Sequence, residues 1–210
     1  MATATAPAEK IDLKKRLHYL YDASATDMAI VEVPPMSFLM VDGSGDPLNS
    51  REFRGAVEAL YGIAYALKAA VRRSAAADYA VMPLEGLWWM SGMRRFDMTR
   101  RDLWKWTLMI MQPDLVNADL FIRTVVELEK KKPPPSLRGV RLERFSEGRC
   151  VQVMHLGSYS TEGRTLERMC DFIRTRELRM QGKHHEIYLS DPSRTPPDKL
   201  KTLLRQPVTQ

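Results

Sequence analysis

Residues 103–111 have the sequence Leu-Trp-Lys-Trp-Thr-Leu-Met-Ile-Met, and residues 79–90 have the sequence Tyr-Ala-Val-Met-Pro-Leu-Glu-Gly-Leu-Trp-Trp-Met. Both runs are rich in apolar and aromatic residues and predict two β-strands. Before them, apolar side chains recur at helical spacing from a cap at Asn49 or Ser50 to about Arg73, which predicts a long helix. A β-rich segment at 29–41 precedes that helix. The predicted order is therefore strand, helix, strand, strand.

The second half of the chain follows a similar order without similar letters. Strands are predicted at about 138–145, 149–156 and 184–190, and a helix is predicted at about 161–178. Each half would thus contain sheet strands and one long packed helix. The expected fold class is α+β, with two modules paired about a pseudo-twofold axis and a ligand cleft between them.

The same pattern sets the expected boundaries. The proline run Pro133-Pro134-Pro135 ends a helix capped by Asn117 and separates the two halves. We expect an N-terminal extension at 1–28 and one domain at 29–210. Within the domain the expected parts are module one at about 29–112, a linking helix at about 117–132, module two at about 137–192 and a C-terminal tail at 193–210.

The composition excludes several classes of protein. The chain has 210 residues, of which 44% are apolar and 28% charged, and this balance suits a globular domain rather than a disordered chain. No apolar run reaches the roughly 18 residues that a membrane span needs, and the N-terminus lacks the apolar core of a signal peptide. The two cysteines imply no disulfide framework. We therefore expect a cytoplasmic protein with no membrane partner.

Charge and motif spacing narrow the choice further. The net charge is +6, but the basic residues are spread along the chain, so nucleic acid is an unlikely partner. The cysteines and histidines lack the spacing of a metal site, and no phosphate loop or dinucleotide fingerprint is present, so neither a metal nor a cofactor is expected. Thirteen methionines and four tryptophans suit either a core or an adaptable pocket for flat apolar ligands. The oligomeric state stays open.

The predicted last strand carries the most distinctive polar residues. Strand alternation places His184, Glu186, Tyr188 and Ser190 on one face, so Glu186 is a carboxylate in the middle of a strand. If that face lines a cleft, Glu186 is a partly desolvated base or counter-ion. If that face is the outer side of an antiparallel sheet, Glu186 is a solvated surface residue.

The two earlier strands offer a similar choice. Glu85 and Trp89 share one face of their strand, where they form either a pocket wall or a surface carboxylate beside a packed indole. Trp104 and Trp106 face the same way and favour a core position. The opposite face of that strand, which carries Met109, could equally be the cleft floor.

Five segments in this order resemble the stand-alone branch of the GyrI-like small-molecule-binding superfamily. They are Ser37-Phe38-Leu39-Met40-Val41-Asp42-Gly43-Ser44-Gly45-Asp46-Pro47, Ala59-Leu60-Tyr61-Gly62-Ile63-Ala64-Tyr65, Pro83-Leu84-Glu85-Gly86-Leu87-Trp88-Trp89, Trp104-Lys105-Trp106-Thr107-Leu108-Met109-Ile110-Met111-Gln112-Pro113 and His184-His185-Glu186-Ile187-Tyr188-Leu189-Ser190-Asp191-Pro192. The resemblance covers about residue 30 to the C-terminus. It implies duplicated strand–helix–strand–strand (SHS2) modules, with antiparallel sheets and packed helices around a central ligand cleft.

The resemblance also implies a function. Relatives fused to DNA-binding helices serve as drug-sensing regulators, whereas residues 1–29 are too few to form such a domain, so a stand-alone form is expected. Some stand-alone members are implied to be cyclopropanoid cyclopropyl hydrolases, which detoxify DNA-alkylating natural products of the CC-1065 and yatakemycin type. Ring opening needs water at a carbon atom and a donor for a carbonyl oxygen that becomes a phenolate.

These considerations give a set of candidate residues. In the superfamily the last-strand glutamate lies in the cleft, so we expect Glu186 to orient or activate water, with Tyr61 as the hydrogen-bond donor. The expected walls of the cleft, which would hold a hydrophobic aromatic small molecule, are Glu85, Trp89, Trp106, Met109, Tyr65, Tyr188 and Met40. The alternative is a non-catalytic multidrug-binding or sensor protein in which Glu186 is the counter-ion for cationic aromatic ligands. A third possibility is a protein-interaction role of the basic surface.

Overall fold

The computed structural model describes residues 9–75, 77–92, 100–131 and 133–210. The first eight residues of the expected N-terminal extension, and Lys132 at the end of the expected linking helix, lie outside these ranges. The helices are α1 (Leu13–Arg16), α2 (His18–Tyr21), α3 (Arg51–Ser74), α4 (Ala118–Glu129) and α5 (Glu162–Thr175). The strands are β1 (Glu9–Ile11), β2 (Ala29–Val33), β3 (Met36–Ser44), β4 (Ala77–Tyr79), β5 (Glu85–Met90), β6 (Trp104–Gln112), β7 (Arg141–Phe145), β8 (Gly148–Leu156), β9 (Arg179–Met180), β10 (His184–Tyr188) and β11 (Lys201–Thr209).

The large sheet shows the expected duplication. Its strand order is β2-β8-β11-β10-β5-β6-β3-β7, and every neighbouring pair on this path is antiparallel. One module is β3-α3-β5-β6 and the other is β8-α5-β10-β11, so each has the order strand, helix, strand, strand. The second strands of the two modules, β5 and β10, pair with each other at the centre. The α+β fold with two SHS2 modules is therefore confirmed.

The edge strands tie the modules together. β2 precedes the first module in sequence but pairs with β8 of the second, and β7 precedes the second module but pairs with β3 of the first. Each module thus contributes its leading strand to the other module's edge. The pairing of β5 with β10 makes one continuous sheet from the two halves, and the buried apolar residues form two clusters.

Both long helices pack on the same face of the sheet, which we call the helix face. Residues opposite each other in antiparallel strands share a face, so this face carries Glu186 of β10, Gly86 of β5 and Leu108 of β6. α3 covers β3 and β6, and α5 covers β8. The central pair β5–β10 therefore lies between the two helices.

The N-terminus of α3 begins where the sequence predicted. The Ser50 side chain accepts a hydrogen bond from the Phe53 N–H and caps the helix. The Phe53 ring then packs at 5.3 Å, edge to face, on Trp106 of β6. Trp106 is fully buried, and its indole covers Gly43 on β3, where a Cβ would come within 2.1 Å of the ring. Gly43 is therefore required by the packing of Trp106.

The opposite face, the N-terminal face, is covered by α1 and α2 and contains a buried ion network. His185 lies between Glu85 and Glu147, at 3.0 Å from Glu85 Oε2 and 2.8 Å from Glu147 Oε2. Arg205 also contacts Glu147, at 3.2 Å, and Tyr21 of α2 donates a hydrogen bond to Glu85. These groups are almost completely buried, and they fix the N-terminal helices to the central strands.

Ion pairing decides the charge state of this network. Burial opposes the charge of His185, but Glu147 and Glu85 outweigh burial and raise the pKa of His185 to about 9. Burial likewise opposes the charge of Glu147, but His185 and Arg205 lower its pKa below the usual value. His185 and Glu147 are therefore both charged at neutral pH.

The C-terminal residues differ most from the sequence prediction. The segment expected to be a tail contains β11, which lies inside the sheet between β8 and β10. This strand is difficult to predict from the sequence because it contains Pro207. Proline has no backbone N–H to donate to a β-ladder and usually argues against a central strand. β10 pairs only with residues 202–205 of β11, so β10 has ended before the position of Pro207. The Pro207 carbonyl oxygen accepts a hydrogen bond from the Gln181 N–H.

No helix within the described ranges is both long and apolar enough to cross a membrane.

Candidate functional site

The candidate site is the part of the helix face above β5 and β10, between the strands that α3 covers and the strand that α5 covers, and we call it the groove. Glu186 stands at its centre, opposite Gly86 of β5. The Glu186 side chain is 14% exposed, so its carboxylate is largely withdrawn from solvent while still reaching the surface. This position follows from strand alternation, which also brings His184 and Tyr188 to the same face.

A chain of hydrogen bonds orients the Glu186 carboxylate. Trp88 Nε1 donates to the Tyr188 hydroxyl at 3.1 Å, and that hydroxyl donates to Glu186 Oε2 at 2.8 Å. On the other side, His184 Nε2 lies 3.6 Å from Glu186 Oε1. Gly86 makes this arrangement possible, since a Cβ there would lie 2.7 Å from Trp88 Nε1 and 3.1 Å from the Tyr188 hydroxyl oxygen.

The α5 wall of the groove adds a second carboxyl group. Glu162, in the first turn of α5, is 1% exposed and interacts with the side chain of Thr202. Thr202 lies opposite Tyr188 in the β10–β11 ladder, so Glu162 is positioned above the strand that neighbours β10. The Tyr159 ring, just before α5, packs edge to face on Tyr188 at 5.9 Å.

The α3 wall supplies further aromatic rings. Phe53 stacks on Trp88 at 6.1 Å, at the end of the groove nearest the helix cap. Tyr61 and Tyr65, one helical turn apart, stack at 6.3 Å. Tyr61 is half-buried and interacts with the Leu84 backbone, whereas Tyr65 is 59% exposed and stands at the rim. The groove is therefore lined by aromatic rings on both sides of one carboxylate.

Burial and charge set the protonation of these groups. Burial and the nearby Glu186 carboxylate raise the pKa of Glu162 to about 9. Burial, with Glu162 and Glu186, raises the pKa of Tyr159 to about 12, and burial with Glu186 raises the pKa of Tyr188 well above its ordinary value. Tyr159, Tyr188 and Glu162 are therefore neutral hydrogen-bonding groups around Glu186 at pH 7.

Comparison with known proteins identifies the family of the chain. The family model of the GyrI-like small molecule binding domain matches residues 26–209. The chain belongs to the GyrI-like family. It is accordingly a GyrI-like small-molecule-binding protein.

Several solved structures resemble this GyrI-like chain over nearly its whole length. One is an uncharacterized conserved protein from Listeria innocua, 43% identical, with a TM-score of 0.88 over 95% of this chain and 100% of that chain. A second, described as a hydrolase from the same organism, is 41% identical, with a TM-score of 0.86 over 96% of this chain and 100% of that chain. The EcmrR C-terminal domain, at 10% identity and a TM-score of 0.54 over 88% of this chain and 98% of that chain, shares the fold alone. No curated protein matches the chain.

The GyrI-like structure brings only some of the sequence candidates together. Glu186 and Tyr188 are hydrogen-bonded to each other on β10, and Tyr61 and Tyr65 stack on each other on α3, the helix on one side of the groove. Trp106 lies on the same face but is fully buried beneath Phe53. Four other candidates lie on the opposite face of the sheet and cannot contact a ligand in this groove: Glu85, Trp89, Met109 and Met40.

Those four residues have other environments. Glu85 belongs to the buried ion network. Lys183 Nζ lies over the Trp89 ring, 3.4 Å from the ring centroid, in a cation–π contact. Met40 and Met109 form a buried cross-strand pair between β3 and β6. The residues that the sequence did not indicate are Trp88, Tyr159 and Glu162. Trp88 could have been found by strand parity if the β5–β10 register had been known, but no local pattern identifies Tyr159 or Glu162.

A second depression lies on the outer side of α5 and is separate from the groove. Its volume is about 470 Å³, and Thr26, Arg168 and Phe172 are among its lining residues. The Arg168 guanidinium already donates to the Ala25 and Thr26 carbonyl oxygens. Because it is open and its main cation is used structurally, we assign no ligand to it.

Proposed function

We propose that the groove binds flat, hydrophobic aromatic small molecules and hydrolyses the cyclopropane ring of cyclopropanoid DNA-alkylating natural products. The observation that carries this proposal is the Glu186 carboxylate, largely buried, held by the Tyr188 hydroxyl and placed among aromatic rings. Similarity to Listeria proteins described as hydrolases supports the reaction class, at 40% and 41% identity. Such a reaction would detoxify the alkylating agent.

The reaction needs one water molecule and one base. Glu186 accepts a proton from water while the water oxygen forms a bond to the CH₂ carbon of the cyclopropane. The C–C bond of the ring breaks, and its electron pair passes into the conjugated ring system, so the carbonyl oxygen becomes a phenolate. A proton then converts the phenolate to a phenol. The net change is addition of one water molecule, and release of ring strain drives it.

Tyr188 and Tyr61 have different roles in this scheme. The Tyr188 hydroxyl donates to Glu186, so it positions the carboxylate rather than contacting the ligand carbonyl. Tyr61 projects from α3, and burial raises the pKa of its hydroxyl, so it remains a neutral donor for developing negative charge on oxygen. Tyr65 at the rim and Tyr159 on the α5 side offer ring faces to a flat ligand.

The test is turnover of a CC-1065-type cyclopropanoid, with the water adduct followed by mass spectrometry. We expect wild-type protein to form the adduct and Glu186→Gln to slow it by about 10²-fold or more, the usual effect of losing a general base. Glu167→Gln is the matched control, because Glu167 is an exposed carboxylate on α5. Equal rates for wild type and Glu186→Gln would contradict the assigned mechanism.

Reversible capture of aromatic cations is the second candidate function. The Glu186 carboxylate favours this function, since a largely buried anion among aromatic rings attracts a flat cation. The test compares N-methylacridinium with neutral acridine. Capture predicts at least tenfold tighter binding of the cation, loss of that preference in Glu186→Gln, and recovery of the dye unchanged. Equal binding of the two dyes would exclude Glu186 as a counter-ion.

A further inference from the structure

Glu162 is a buried carboxyl group near the groove that the scheme above does not use. Its side chain is enclosed between α5 and the sheet and is 1% exposed. Its carboxyl group interacts with the Thr202 side chain. Within the described part of the chain, Glu162 Oε1 has no hydrogen-bond partner, although it is buried. A buried polar atom without a partner is uncommon and indicates a position prepared for another group.

The surroundings of Glu162 favour an uncharged carboxyl. The titratable groups that interact with it are Glu186 and Tyr188 from β10 and Tyr159 from the turn before α5. His155 of β8 is hydrogen-bonded to Thr165 of the same helix. The nearest charged group of this set is another carboxylate. Two buried carboxyls in one site do not both ionise readily, so one of them keeps its proton.

We propose that Glu162 is the second functional carboxyl of this groove, a protonated donor that meets the carbonyl oxygen of the ligand while Glu186 acts on water. This inference rests on the proposed function and adds the identity of the acid. It assigns opposite roles to two carboxyls according to their environments, since Glu162 is more deeply buried than Glu186, whose side chain is 14% exposed.

The proton balance of the reaction then closes within the site. Glu186 receives a proton from water, and the Glu162 carboxyl O–H gives its proton to the oxygen that becomes the phenol. After turnover Glu186 is protonated and Glu162 is ionised. Transfer of one proton from Glu186 to Glu162, directly or through water, restores the starting state. Tyr61 on the opposite wall stabilises the oxygen by hydrogen bonding but does not transfer its proton.

The first experiment measures the proton on Glu162 without any ligand. Infrared difference spectra of wild type against Glu162→Gln at pH 7 should show the C=O stretch of one protonated carboxyl, which the substitution removes. Glu167→Gln, which changes an exposed carboxylate on the same helix, should leave that band in place. Absence of a Glu162-dependent band overturns the proposal.

The second experiment measures the donor with N-methylacridone, a flat neutral aromatic ketone. We expect Glu162→Ala to weaken its binding about tenfold and Glu162→Gln, which keeps an N–H donor, to weaken it less. In wild type the affinity should fall as pH rises through about 9, where Glu162 ionises, and this fall should be absent in Glu162→Gln. Because Glu162→Gln retains His155 and both tyrosines, any fall that persists there belongs to another group and overturns the assignment.

The third experiment separates this inference from the proposed function. With a cyclopropanoid substrate, Glu162→Gln should lower the rate about 10²-fold and remove the alkaline limb of the pH profile, a change that a purely structural role would not produce. If no cyclopropanoid is hydrolysed by wild type while the N-methylacridone pattern holds, the proposed reaction fails and the donor role stands. If wild type does not bind N-methylacridone, or Glu162→Ala binds it as tightly, the donor role is overturned. Should Glu162→Ala fail to fold, the infrared band and the wild-type pH dependence still decide.

Discussion

The charge state of Glu162 has a measurable effect on stability. In the folded protein its pKa is raised from the usual 4.5 to about 9 by burial and by Glu186. The unfolded chain therefore releases this proton near pH 4.5, whereas the folded chain holds it until about pH 9. Unfolding above pH 4.5 thus releases a proton, and Glu162 makes the folded state progressively less stable as pH rises through this window.

The magnitude follows from the size of the shift. One pKa unit corresponds to about 1.4 kcal/mol, so full expression of the shift lowers the free energy of unfolding by about 3 kcal/mol at pH 7 relative to pH below 4.5. Glu162 lies in the first turn of α5, where the helix dipole favours the anion by roughly 0.3–1 kcal/mol and reduces the effect. We expect a loss of about 1.4 kcal/mol per pH unit across the middle of the window, where unfolding releases one proton from Glu162.

Glu162→Gln removes this titration while keeping the size and hydrogen-bonding capacity of the side chain. The difference in unfolding free energy between Glu162→Gln and wild type should therefore grow in favour of the variant from about pH 5 to about pH 8. Urea unfolding followed by tryptophan fluorescence measures it, and thermal unfolding should show roughly 2–4 °C for each kcal/mol. Glu167→Gln is the control and should follow wild type at every pH. Parallel stability curves for wild type and Glu162→Gln would refute the assignment of a proton to Glu162.

Two further predictions concern the scaffold. Gly43→Ala should lower the free energy of unfolding by about 1–3 kcal/mol in urea titrations, because the added Cβ would overlap Trp106. The control is Gly163→Ala, which has open space on α5 and should leave the stability unchanged or slightly raised. Equal effects of the two substitutions would contradict the packing of Trp106 on Gly43. His185→Gln should lower the free energy of unfolding by about 3–5 kcal/mol at pH 7, because it leaves Glu85 and Glu147 buried without their shared cation. The control is His18→Gln, at the exposed His18–Asp22 pair, which should change the stability by no more than about 0.5 kcal/mol. The stabilisation from His185 is complete below pH 6.5 and is lost as pH rises through about 9. The difference in unfolding free energy between wild type and His185→Gln should shrink across that window, and a constant difference would exclude a charged His185.

Local features of the sequence determined the local features of the fold. The caps at Ser50 and Asn117 are where their side chains predicted, because an N-cap needs only a short polar side chain next to an apolar helical pattern. The face of β10 that carries His184, Glu186 and Tyr188 also follows from alternation within one strand. The duplicated order of strand, helix, strand, strand could also be predicted from the sequence, since apolar residues recur with a different period in helices and in strands.

Tertiary structure decided which of these faces meet. Glu85 and Glu186 each stand in a strand beside aromatic residues, yet the β5–β10 register puts them on opposite sides of the sheet, one in a buried ion network and the other in the groove. Register depends on pairs of residues far apart in the chain, so no short window of sequence contains it. The same reason applies to β11, which is a central strand only because β8 and β10 lie on either side of it. It also applies to Glu162, which keeps its proton because it is buried near the Glu186 carboxylate of β10.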